Sequence, residues 1–140
     1  MNKIDITLHK GFYPTNEVRD FIETVCHKWG FTPKDAYQIK TAIDEALTNV
    51  VRHAYKKEPG KIKIEVTFNH DTMTIKIKDW GKPMEHRKKT GPVDLMKRKK
   101  DHGLGLVLID RLMDKVTRMR RKSYNELTMK KQHNGTKHER

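Results

Sequence analysis

The sequence predicts an α+β fold, a two-layer sandwich in which helices cover one face of a mainly antiparallel, mixed sheet. Three observations predict it. Apolar and polar residues alternate through Ile4-Ile6-Leu8, Ile62-Ile64-Val66-Phe68 and Met73-Ile75-Ile77, the period of half-buried strands. Apolar residues recur instead at three- and four-residue steps through Ile39, Ile43, Ala46, Leu47, Val50 and Ala54, the stripe of an amphipathic helix. The order strand, helix, helix, strand, strand, loop, helix, strand, strand packs most simply with its helices segregated on one sheet face.

Each element has its own signals. Gly11 and Pro14 end the first strand, and Thr15 is the expected N-cap of a helix that puts Val18, Phe21, Ile22, Val25 and Trp29 on one side and stops at Gly30. In Thr32-Pro33-Lys34-Asp35, threonine can cap, proline suits the first helical position and aspartate complements the helix dipole. The helix that starts there runs to about Tyr55. After Pro59-Gly60, two alternating strands joined by Asn69-His70-Asp71 form a hairpin that closes at Asp79-Trp80-Gly81. Periodicity then vanishes over about 20 residues rich in lysine, a length that in compact domains marks a lid, a binding loop or a disordered segment. His102-Gly103-Leu104-Gly105-Leu106 leads into a buried helix. Val116, Met119, Leu127 and Met129 belong to two closing strands around Ser123-Tyr124-Asn125. Residues 1–131 form one domain on this reading, and 132–140 a polar, frayed tail.

Composition bounds the function. At 140 residues the chain can bury a single core. Its one cysteine, Cys26, allows no intrachain disulfide, lies among apolar helix residues as an inert thiol, and fits a reducing cytoplasm. No apolar run approaches the roughly 20 residues of a membrane span, and no signal-peptide core stands at the amino terminus. The eight histidines lack metal-ligand spacing, so no zinc site is expected. The net charge of +13 implies attraction to something acidic, whether nucleic acid, membrane, nucleotide or protein.

Three motifs carry chemistry. Glu45 and Asn49 stand four apart, one turn above the other beside the apolar stripe. Alone they read most simply as a solvated helix face, although a carboxylate and a carboxamide so aligned can share a cation, a water and a polyanion. Asp79-x-Gly81 closes a strand, where the carboxylate can accept from an exocyclic amine while glycine lets a base approach the backbone. Gly103-x-Gly105 opens a helix, whose free N–H groups and positive end suit phosphate oxygens. It lacks the third glycine and preceding strand of a dinucleotide fingerprint, and the lysine and hydroxyl residue of a Walker motif.

In this order the motifs resemble the N, G1 and G2 boxes of the ATPase superfamily of type II topoisomerases, heat-shock chaperones and sensor histidine kinases. The stretches AIDEALTNVVRHAY, IKDWGKP and HGLGLVLIDRLMDKV are similar to the anti-sigma-factor serine-protein kinases of bacterial partner-switching modules, over about residues 5–131. The resemblance implies ATP and magnesium as cofactors. It makes Asn49 the magnesium ligand, Glu45 the general base, Asp79 the adenine reader with Gly81 beside it, Gly103, Leu104 and Gly105 the phosphate-binding backbone, and about 82–102 the ATP lid. It implies an antagonist protein as phosphoacceptor on serine or threonine, a sigma factor as a further partner, and a homodimer. The chain departs from the family where many members carry Gly-Thr before the last strand: here stands Asn125-Glu126, and the Gly135-Thr136 pair follows that strand.

Two other functions stay open. A module that binds ATP and sequesters a partner without phosphotransfer is favoured by the missing Gly-Thr. Nucleic-acid binding would use the basic surface, yet no DNA or RNA motif is present and aromatics are not interleaved with the lysines along the chain. His53 reads as a packed histidine, Trp80 as a residue facing away from Asp79 and Gly81, Trp29 as core.

Overall fold

The computed structural model describes residues 2–55, 58–83 and 103–133. Its elements are β1 (Asn2–Leu8), α1 (Thr15–Lys28), α2 (Pro33–Asn49), a π-helical turn (Val50–Ala54), β2 (Ile62–Asn69), β3 (Thr72–Asp79), α3 (Gly103–Leu112), β4 (Lys115–Arg120) and β5 (Asn125–Gln132). The five strands form one sheet in the order β1-β2-β3-β5-β4. Every pairing in it is antiparallel. The predicted sandwich is therefore present, with a purely antiparallel sheet.

Alternation decides which face is covered. Ile62, Ile64 and Val66 of β2, Met73, Ile75 and Ile77 of β3, and Met129 of β5 are at most 1% exposed. Against them lies the predicted stripe of α2, with Ile39, Ile43, Ala46, Leu47, Val50 and Ala54 all buried. Burying each large aliphatic side chain contributes about 1.5–3 kcal/mol, so this seam is the main source of stability. α2 lies between α1 and α3 and packs against both. Arg19–Asp44 and Lys40–Glu23 ion pairs tie α1 to α2 at the rim.

The start of α2 follows its sequence: Thr32 Oγ1 accepts from Asp35 N at 3.1 Å and Pro33 is the first helical residue. Its end does not. The α-helix stops at Asn49 and continues as a π turn, with Tyr55 N donating to Val50 O five residues back at 3.0 Å. The wider turn carries the Ala54 carbonyl to Lys82 N, 3.2 Å away on the loop after β3. That tertiary bond forms where the helix type changes.

Three other expectations shift. Thr15 is the first residue of α1 and not its cap; Pro14 holds the cap position and no side chain caps the helix. Phe21 is 47% exposed, because α1 buries Val18, Ile22, Val25 and Cys26 and Phe21 falls to one side of that stripe. Gln132, assigned to the tail, closes β5 opposite Thr72, and His133 is 1% exposed with its ring 4.8 Å from that of Phe31. The sheet register and this aromatic pocket order residues whose polarity reads as tail. Residues 134–140 lie outside the described residues. Cys26 is fully buried and its thiol is pushed up to about 12 by desolvation, as its apolar setting predicts.

Candidate functional site

Asn49 is the last α-helical residue of α2 and is 5% exposed, with no hydrogen-bond partner for Nδ2 among the described residues. A buried amide left without a partner costs free energy comparable to a lost hydrogen bond. Such a group calls for a partner from outside the described residues, whether a water, an ion or a ligand. Glu45 lies one turn earlier and is half-buried, so it reaches solvent and the same end of the helix. Arg52 is exposed and His53 half-buried on the π turn that follows.

Asp79 ends β3 and is 3% exposed. Its Oδ1 accepts from Gly81 N at 3.0 Å and from Asn125 Nδ2 at 2.9 Å. Burial pushes the carboxyl above its ordinary value, opposed by these two bonds and by the nearby Arg120 guanidinium. Asn125 Nδ2 also donates to Lys82 O at 2.8 Å, and Arg120 Nη1 donates to Gly81 O at 3.0 Å and to Asn125 Oδ1 at 3.3 Å. The β4–β5 hairpin thus grips the Asp79-Trp80-Gly81 turn from one side. Tyr55 grips it from the other: its hydroxyl accepts from Trp80 N at 2.7 Å and donates to Lys61 O. The Trp80 ring lies 5.6 Å from that of Tyr124, under Lys61 Nζ at 4.5 Å.

Gly81 has a structural reason beyond access for a base. A Cβ there would lie 2.6 Å from the Ala54 carbonyl carbon and closer still to its oxygen. Backbone cannot yield as a flexible side chain would, so Gly81→Ala is expected to cost about 1–3 kcal/mol by overpacking. Urea unfolding of the two proteins measures it, and equal midpoints would show that the turn has room to move.

The π turn that follows Asn49 therefore touches the turn that follows Asp79. Gly103, Leu104 and Gly105 occupy the first turn of α3, whose N–H groups have no intrahelical acceptor. α3 packs along α2, which supplies Glu45 and Asn49. Lys82 and Pro83 begin the expected lid; the rest of it, 84–102, lies outside the described residues. Among the described residues no three His, Cys, Asp or Glu side chains gather as a metal cage.

Sequence reading missed Asn125, Arg120 and Tyr55. Asn125 sits opposite Asp79 in the β3–β5 register, a pairing 46 residues apart that no local period announces. The one available signal was its position, where the Gly-Thr pair was sought.

Serine-protein kinase RsbW of Bacillus cereus strain Q1 is 39% identical over 98 residues, covering 66% of this chain and 61% of the relative. The Bacillus anthracis strain A0248 protein of that name is 38% identical over the same extent. The chain thus spans about three-fifths of the length of these relatives. Two solved structures share the fold. The RsbU and RsbW domains of Rv1364c from Mycobacterium tuberculosis align at a TM-score of 0.69 and 18% identity, over 94% of this chain and 32% of that one. A chain of the SiaB-SiaC complex from Pseudomonas aeruginosa aligns at 0.66 and 13%, over 89% and 88%. Residues 14–131 match the histidine kinase-like ATPase domain, and the chain belongs to that family.

Proposed function

We propose that this protein binds ATP with magnesium and phosphorylates an antagonist protein on serine or threonine, as an anti-sigma-type regulator in a partner-switching module. The observation that carries the reading is the buried Asn49 carboxamide, whose Nδ2 has no partner among the described residues and as a donor suits a phosphate oxygen, one turn beyond Glu45 on a helix whose end meets the Asp79 turn. The relatives named serine-protein kinase support the reaction class.

The residues divide the work. The Asp79 carboxylate accepts from the adenine amine. Backbone N–H groups at the start of α3, together with the positive helix end, hold phosphate oxygens. The Asn49 carboxamide oxygen is a hard ligand of the kind magnesium takes, and the metal, when bound, neutralises phosphate charge. Glu45 takes the proton of the attacking hydroxyl. Phosphoryl transfer asks little covalent work of the protein, so positioning and charge neutralisation carry it. The net charge of +13 favours an acidic nucleotide and acidic protein surfaces. A sigma factor as second partner, a homodimer and a cytoplasmic location belong to the same proposal. The buried free Cys26 fits that location, and no described helix is long and apolar enough to cross a membrane.

Asn125-Glu126 at the expected place of Gly-Thr favours a second reading, a module that binds ATP and holds a partner without phosphotransfer. Calorimetric titration with ATP, with and without magnesium, tests what both share. The wild type is expected to bind with a magnesium-dependent gain, and Asn49→Ala to lose that gain by about tenfold or more, which is about 1.4 kcal/mol. No binding by the wild type removes both readings. Tight binding without phosphoprotein selects the second.

A further inference from the structure

Building on the nucleotide reading of the site, we propose that Asn125 and Arg120 are positioning residues that lock Asp79 as an acceptor and thereby make the site select adenine over guanine. Neither residue belongs to the three motifs, and both come from the β4–β5 hairpin.

The lock begins with the amide of Asn125, which has a donor end and an acceptor end. Nδ2 faces Asp79 Oδ1 at 2.9 Å and Lys82 O at 2.8 Å, both acceptors. Oδ1 faces Arg120 Nη1 at 3.3 Å, a group that can only donate. Reversing the amide would set oxygen against two acceptors and nitrogen against a donor, so these three contacts would fail together. Arg120 is itself held by Gly81 O at 3.0 Å, on the turn that the lock grips. Asn125 is 8% exposed, so an unsatisfied end could not turn to water without cost.

The consequence falls on Asp79. Gly81 N and Asn125 Nδ2 both bond Oδ1, and among the described residues no donor reaches Oδ2. One oxygen is anchored twice while the other stays available. An ionised Oδ2 is an acceptor, which the exocyclic amine of adenine satisfies and the carbonyl oxygen of guanine does not. A protonated Oδ2 would donate and reverse that preference. Burial pushes Asp79 toward the protonated form, and the groups facing it that oppose this are the Gly81 amide, the Asn125 amide and Arg120. The hairpin contributes two of the three. Asn125 thus takes up a task beside Asp79 at the place where the chain departs from Gly-Thr.

The test is direct binding of ATP and of GTP, each with magnesium, to the full chain, Asn125→Ala and Arg120→Met. Wild type is expected to prefer ATP by about 100-fold or more, as buried donor–acceptor matching allows. Asn125→Ala is expected to narrow that ratio by about tenfold, and Arg120→Met to narrow it less, because the amide stays but loses its guide. Arg120→Lys, which keeps a donor-only group, should restore part of it. A purely structural role would lower the amount of folded protein and leave the ATP-to-GTP ratio of the folded fraction unchanged. An unchanged ratio in Asn125→Ala overturns the proposal; should that variant fail to fold, an unchanged ratio in Arg120→Met does so. Wild type that binds both nucleotides equally overturns it while leaving the nucleotide site standing. Wild type that binds neither removes the site itself.

Discussion

Glu45→Ala is expected to lower phosphotransfer to the antagonist by about 10²–10⁴-fold while leaving ATP affinity unchanged. The separation follows from where Glu45 stands. It lies beside Asn49, a turn away on α2, and none of the contacts that hold the Asp79 turn involves it. On the proposed function its carboxylate is expected to meet the attacking hydroxyl and not the bound nucleotide. Alanine is the best helix former, and the position is half-buried, so stability should shift by no more than about 0.5 kcal/mol. Labelled ATP with purified antagonist reads the transfer, and calorimetry reads the binding. Transfer by the variant at the wild-type rate would remove Glu45 from the reaction. Weaker ATP binding with transfer falling in proportion would make it a binding residue instead.

Asp79→Asn is expected to lose ATP binding by about 100-fold or more while the protein becomes no less stable at neutral pH. An asparagine oxygen can still accept from Gly81 N and Asn125 Nδ2, so the turn keeps its bonds. The amide nitrogen, however, puts a donor where the adenine amine needs an acceptor. Stability moves the other way because burial raises the Asp79 carboxyl above its ordinary 3.8. The folded state then holds that proton more tightly than the unfolded chain does. Stability is fully present below about 3.8 and declines as pH rises through the window above it. Asparagine never ionises and escapes the decline. Thermal melts should show the variant equal to or above wild type at pH 7, with the gap closing toward pH 4. A variant clearly less stable at pH 7 would mean that the ionised carboxylate is a net stabiliser of the turn.

Local patterns carried a large part of this structure. The stripe from Ile39 to Ala54 needs only helical geometry to be read, and every member is buried. The β2–β3 hairpin needs only alternation and a polar turn, and its register, Ile62 opposite Asp79, follows from the two-residue connection. Thr32-Pro33 signalled the start of α2 because capping is chemistry within four residues. Among the site residues, Glu45 and Asn49 sit on one helix, Asp79 ends its strand and Gly103 opens its helix, where spacing and break residues place them.

What stayed hidden depends on partners far along the chain. Nothing near Val50 announces a π turn, which goes with a bond from Lys82 N to Ala54 O that joins residues 28 positions apart. Gly81 reads as an allowance for a ligand, yet the Ala54 backbone already fills the space a Cβ would need. His133 reads as tail until Phe31 and Phe68 are brought beside it. Sequence by itself determined most of the elements, the seam between α2 and the sheet, and the helix and strand ends that carry Glu45, Asn49, Asp79 and Gly103, because each is set by periods and caps within a few residues. Only the tertiary structure decided that Asn125 holds Asp79 and that Arg120 holds Asn125 and Gly81, because a carboxylate's orientation is set by donors that a strand pairing 46 residues apart brings within hydrogen-bond distance.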